Sequence, residues 1–180
     1  MIAGLAQRLT PRFFRRIARD SGGVSALEFA LVAPVVIALL VAILQTGVVF
    51  LYQQVLQSAT TQAARLIMTG QAQAQNIGSS AFVADVCSDA GSMFDCSKLS
   101  ANVQKFSSFS SMTQSNQVSG GTFTPSNNFD MGGPGDIVLV QVFYQLPVSG
   151  GPLGFTLANT SNGNAVLVAT SVFRNEPYQN

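Results

Sequence analysis

Phe29-Ala-Leu-Val-Ala-Pro-Val-Val-Ile-Ala-Leu-Leu-Val-Ala-Ile-Leu-Gln45, followed by Val48-Val-Phe-Leu51, decides how the rest of the chain is read. From Phe29 to Ala64 thirty-six consecutive residues carry no Asp, Glu, Lys or Arg. A helix over Phe29 to Leu51 would be roughly 33 Å long, enough for a ~30 Å hydrocarbon core. Its backbone amides would all be satisfied inside the segment, as lipid demands. The stretch therefore reads as a transmembrane helix, bounded at 24–51. Pro34 removes one helical hydrogen bond and predicts a kink near the start. Gln45, Thr46 and Gly47 interrupt the far half, and polar or small residues at that depth more often face another helix than lipid.

The helical pattern does not stop at Leu51. Tyr52, Val55, Leu56, Ala59, Ala63, Leu66 and Ile67 recur at three- and four-residue intervals among glutamines and threonines, which is an amphipathic continuation with a full apolar stripe. Gly70 after Thr69 supplies the C-terminal cap. One continuous helix of some forty-five residues is expected, with 52–70 emerging from lipid to pack on a soluble domain.

Charge sets the orientation. Arg8, Arg12, Arg15, Arg16 and Arg19 precede the span with Asp20 as their only acidic neighbour before Glu28, whereas Arg65, Lys98, Lys105 and Arg174 face six acids after it. The positive-inside bias makes 1–23 a basic cytoplasmic leader and exports the C-terminal part. The apolar run is too long, and begins too late, for an ordinary cleaved secretory signal.

Residues 71–180 are expected to form a small α+β domain. Gln71 to Gly78 reads as a linker or frayed helix end, and Ser79 to Cys87 as a short helix with a serine cap. Leu99 to Phe106 is a weak strand, and Ser107 to Gly121 a polar loop or hairpin tip. Ile137 to Leu146, closed by Pro147, and Ala165 to Phe173 are rich in β-branched and aromatic residues and pair as antiparallel strands. Turns surround Phe155-Thr-Leu157 between them. The simplest arrangement is a long N-terminal helix packed against a small antiparallel sheet.

Composition narrows the chemistry. The chain has no histidine, so Ser/His/Asp and Cys/His catalysis are excluded and no enzyme is expected. Cys87 and Cys96, nine positions apart, make no ordinary structural zinc site. They are either free thiols or a disulfide, whose short loop would stabilise by roughly 2–3 kcal/mol. Gly132-Gly-Pro-Gly135 is a turn, not a phosphate cradle, and four scattered basic residues in the exported part form no nucleic-acid patch. No cofactor or metal is implied.

Ser21-Gly22-Gly23-Val24-Ser25-Ala26-Leu27-Glu28-Phe29 is a glycine, four residues, a glutamate, an aromatic and a span. This is similar to the arrangement that prepilin peptidases process in type IV pilin-like precursors. The run Ala26 to Pro34 resembles the opening of the TadE-like pseudopilins of the tight-adherence (Tad/Flp) pilus machinery. Gln57 to Arg65 is similar to that family's helix after the span, and Arg174-Asn-Glu-Pro177 to its usual ending, while 80–160 carries no resemblance. The resemblance implies an inner-membrane minor pseudopilin that takes part in assembling an adhesive pilus. Gly23 would be the last leader residue, with Gly22 as the alternative, and Val24 the mature N-terminus. Glu28 would pair with the freed amine of a neighbouring subunit. Beyond the membrane and the peptidase, the implied partners are other pilins or pseudopilins and inner-membrane platform proteins.

Each role has a plainer counterpart. A glycine before a helix also serves as a hinge, and an acid in a first turn is favoured by the helix dipole. Phe29 stands where the major Flp pilins have Tyr, and the chain is longer than those filament subunits, which argues for a minor component. Its length disfavours the TadG-like relatives with a von Willebrand-type domain. Arg174 and Glu176 flank Asn175, and a domain-closing ion pair with Arg65, which only the Glu176 carboxylate could make, is possible, but two exposed charges of little weight are the simpler expectation. The competing class is an unprocessed single-pass anchor carrying a periplasmic binding or sensing module.

Overall fold

Val24–Met68 forms one helix of 45 residues, α1, in a computed structural model that describes residues 23–112 and 117–178. It ends as the sequence predicts. Thr69 and Gly70 return their N–H groups to the Arg65 and Ile67 carbonyls, and Gly70 takes the left-handed conformation at φ 79°. A side chain there would also strike the Tyr178 ring, so glycine is required twice over.

Two further helical segments differ in detail from expectation. Gln71–Ala74 is a helical turn, α2, with Ala72 buried, where a polar linker was expected. The buried methyl group ties it to the core. Ser79–Ala90 is α3, longer by three residues than predicted and without the serine cap. Gly78 occupies the cap position, and the serines lie inside the first turn. Phe82, Val86, Cys87 and Ala90 share its buried face, at three- and four-residue spacing. Two helices, not one, therefore cover the sheet.

The strands are β1 (Leu99–Phe106), β2 (Val118–Ser119), β3 (Thr122–Phe123), β4 (Ile137–Pro147) and β5 (Asn164–Arg174). The main sheet is antiparallel in the order β1-β4-β5, with Val103 opposite Val140 and Val140 opposite Ser171. The fold is thus α+β, a long N-terminal helix against a small antiparallel sheet. Ala101, Val103, Val138, Val140, Val142, Leu167 and Ala169 point to the helices, where they meet Leu56, Ala59, Ala63, Ala64 and Ile67 of α1. Small residues at three of those α1 positions let the helix lie close to the strands. On the opposite face β4 is buried too, because the β2–β3 hairpin places Phe123 5.8 Å from Phe143, ring to ring. Two-sided burial explains why Ile137 to Leu146 reads as a nearly continuous apolar run. Its fully buried amide on that face, Gln141, accepts a hydrogen bond at 3.4 Å from the equally buried Asn102.

Both sheet edges are occupied. On β5, Gln57 exchanges two hydrogen bonds with the Thr170 backbone, and Gln53 donates to the Val168 carbonyl at 2.8 Å. Asn159 makes a second two-way pair with the Val166 backbone. On β1, the Val103 backbone is paired by the segment at Asn128–Asp130. Edge groups left open template aggregation. The C-terminus closes against the same end of the domain. Asn175, buried, donates to the Met131 and Gly133 carbonyls, Arg174 to Gly135, and the Glu176 N–H to Met68 at the end of α1. Arg65 is exposed, and among the described residues the ion pairs are Lys98–Asp95 and Lys105–Asp130.

Cys87 at the end of α3 and Cys96 are joined as a disulfide, with their Cα atoms 5.7 Å apart. Asp95 caps the turn Cys96–Lys98 through Ser97, whose hydroxyl and backbone N–H hold its carboxyl below the usual value, with Lys98 assisting. A depressed carboxyl contributes stability above its unfolded pKa, and that contribution fades as the pH drops through the lowered one.

Ile67→Ala removes a fully buried side chain from the α1–sheet contact and should cost about 2–5 kcal/mol. Leu40→Ala on the same helix, at an exposed site, should stay within about 0.5 kcal/mol. Urea titration of the detergent-solubilised protein measures both.

Candidate functional site: the free half of the long helix

Most of the first half of α1 is not covered by the rest of the protein. From Val24 to Val55 the only buried residue is Ala38, while Phe29 is 73% and Leu44 69% exposed. The most apolar stretch of the helix has a mean hydropathy of 2.8, yet only 6% of it is buried within the fold. A soluble protein's core helix shows the reverse. Burying such a surface is worth about 25 cal/mol per Å², so the segment demands an apolar environment that its own domain does not provide. Its length suffices to cross a hydrocarbon core.

Gly23, Val24, Glu28 and Phe29 stand together at the exposed start of this segment. Gly23 is the N-cap, with φ −97° and ψ −4°, a conformation open to every residue. A Cβ there would meet nothing within 4 Å. The fold of this chain therefore places no demand for glycine at 23. Glu28 belongs to neither ion pair found among the described residues. Gly22 and the arginines that precede it lie outside the described residues.

The three residues that interrupt the span separate into three cases. Thr46 returns its hydroxyl to the Ala42 carbonyl at 2.8 Å, so it is satisfied within the helix. Gln45 faces its own domain rather than a foreign helix. A Cβ on Gly151 would sit 2.8 Å from Gln45 Oε1, and the turn Pro152–Gly154 packs against α1. Between helix and loop runs an apolar cleft of about 400 Å³, lined by Val41, Leu44, Val48, Leu146, Val148 and Leu157 among others. Gly47 alone faces open space, with nothing within 4 Å of its would-be Cβ.

Sequence reasoning missed the residues that work over long separations. Gln53, Gln57, Asn159 and Asn175 look like ordinary polar residues in their local windows, and only the strand pairing reveals what they bond. Leu153 was equally silent. It is 84% exposed and adopts φ 58°, an outlier for a bulky residue. The uncharged run from Ile137 to Phe173 was the one available signal.

Residues 23–65 match the family model described as TadE-like protein. The match begins at the proposed leader junction and ends within the packed half of α1, so it meets the resemblance drawn from Ala26–Pro34 and Gln57–Arg65. It does not reach the Arg174–Pro177 ending. With the exposed apolar helix, it fits a membrane protein associated with the Tad pilus. No curated protein and no solved structure matches the chain.

Glycine costs a helix about 1 kcal/mol relative to alanine. Gly47→Ala should therefore raise stability by up to that amount, and Gly23→Ala should leave it unchanged, in thermal melts of the solubilised protein. A clear drop for either would mean that the folded chain itself needs the glycine.

Proposed function

We propose that the chain is a minor pseudopilin of the TadE-like kind, inserted in the inner membrane as a precursor and trimmed after Gly23 by a prepilin peptidase. The carrying observation is the contrast at Gly23: a glycine in open space, on a free helix start, where the chain's own packing accepts any side chain. A peptidase that must grip bare backbone supplies the missing reason. The arginine-rich leader then lies in the cytoplasm and the domain from Gln71 onward in the periplasm, following the positive-inside bias.

Trimming makes Val24 a free amine at the head of α1. Glu28, one turn on, carries a carboxylate at the edge of an apolar segment, where an unpaired charge is costly. In a bundle of such helices it pairs with the Val24 amine of a neighbour and sets the stagger between subunits. Phe29 and the exposed apolar residues beyond it provide the lateral surface for pilins, pseudopilins or platform-protein helices. The role is assembly rather than catalysis: starting, capping or adjusting an adhesive pilus.

Gly23→Arg should leave the precursor uncut while the domain still folds. Mass spectrometry of the membrane-extracted protein reads this directly, the wild type beginning at Val24. A wild-type chain still carrying Met1 in cells that make pili would favour the unprocessed anchor with a periplasmic sensing or binding module. Glu28→Gln should insert and be trimmed normally but reduce surface piliation and adherence. Full adherence in that variant would remove the pairing role.

A further inference from the structure

The β4–β5 connection does not stay at the level where α1 enters the domain. Its turn Pro152–Gly154 packs against α1, and Gly151 lies against Gln45, six residues nearer the N-terminus than Leu51. Ala38, the one buried residue of the free half, lies about 10 Å further down at the usual rise per residue. A ~30 Å hydrocarbon layer spans about twenty residues of helix. If its outer limit is at Leu51, the turn is submerged. If the limit is at Gln45, the layer reaches back to about Ser25, Glu28 sits about a turn inside, and the turn lies at the acyl boundary. Both placements put this loop against lipid.

Its composition agrees with that position. No Asp, Glu, Lys or Arg occurs between Ile137 and Phe173, so no charge is desolvated. The turn spends little polar backbone on the lipid. The Gly151 N–H donates to the Phe155 carbonyl at 2.6 Å, the Phe155 N–H donates to Pro152 at 3.2 Å, and Pro152 has no N–H. Leu153 has a positive φ and is the most exposed large apolar residue of the chain's described part. Partial self-satisfaction suits the acyl boundary, where backbone in full hydrocarbon would not survive.

We infer that the β4–β5 turn is a second membrane contact, in which Leu153 inserts into the acyl layer of the leaflet on the domain's side, next to α1. This rests on α1 being a membrane span. The bilayer edge on that side then runs at Gln45, and 46–51 stand clear of the hydrocarbon.

The chain has no tryptophan, so Leu153→Trp gives a single reporter in the full-length protein, reconstituted in phosphatidylethanolamine–phosphatidylglycerol vesicles. Blue-shifted emission is expected, with protection from aqueous iodide. Lipids brominated high on the acyl chain should remove most of the signal, and lipids brominated near the chain end less. Leu40→Trp, on the exposed face of the span, is the control and should be quenched by deep bromines. If Leu40→Trp is quenched by lipid and Leu153→Trp only by iodide, the loop inference is overturned and the span survives. If Leu40→Trp escapes lipid quenching, the span reading itself falls. Emission at 153 shielded from both iodide and bromolipid would place protein, such as a second copy of the chain, over the turn and would also overturn the inference.

Discussion

One helix has to satisfy two unlike surroundings without a break. In its first half α1 is mostly uncovered and keeps its backbone hydrogen bonds to itself, while in its second half it is the spine of a folded domain. The join depends on Gln53 and Gln57. Four residues of helix advance about 6 Å, and two residues of strand advance about 6.6 Å, so side chains one turn apart fall opposite alternate backbone groups of β5. The amides thus read the strand's edge at Val168 and Thr170 in step. Between them, the apolar stripe from Leu56 to Ile67 and the amide row fix both how far α1 slides along the sheet and which face it turns inward.

The same economy governs the sheet. Three strands are few for a stable domain, and β4 makes up for it by being buried on both faces. That demands cover on each side, which α1 and α3 provide on one and the β2–β3 hairpin on the other. Because β1 and β5 are both edges, each needs something to occupy its outward groups, and the chain uses side-chain amides and a short backbone bridge rather than further strands. Closed edges leave no open row of backbone groups for another chain to pair with.

Much of this was written locally in the residues. The span, its amphipathic continuation, the cap at Gly70 and the paired strands from Ile137 and Ala165 all follow from periodicity and turn chemistry. The misses have a common cause. Ala72 turned an apparent linker into a helical turn because its methyl group meets a core that local composition does not display. Gly78 displaced the expected serine cap because extended backbone, not a side-chain hydrogen bond, begins α3. Gln45 was expected to face a foreign helix, and it faces Gly151, more than a hundred positions away in the chain. For the candidate site, the glycine, the glutamate and the aromatic were visible as a spacing. That Gly23 is unconstrained by the fold depends on the open space around it, which no local spacing displays.

The clamp of α1 between the β5 edge and the Gly151 turn also bears on mechanics. A domain joined to its anchor by a flexible tether swivels freely and presents all sides to its surroundings. Here the helix continues into the domain without a break, so the shaft and the head turn together, and the azimuth of α1 dictates which flank of the head looks outward.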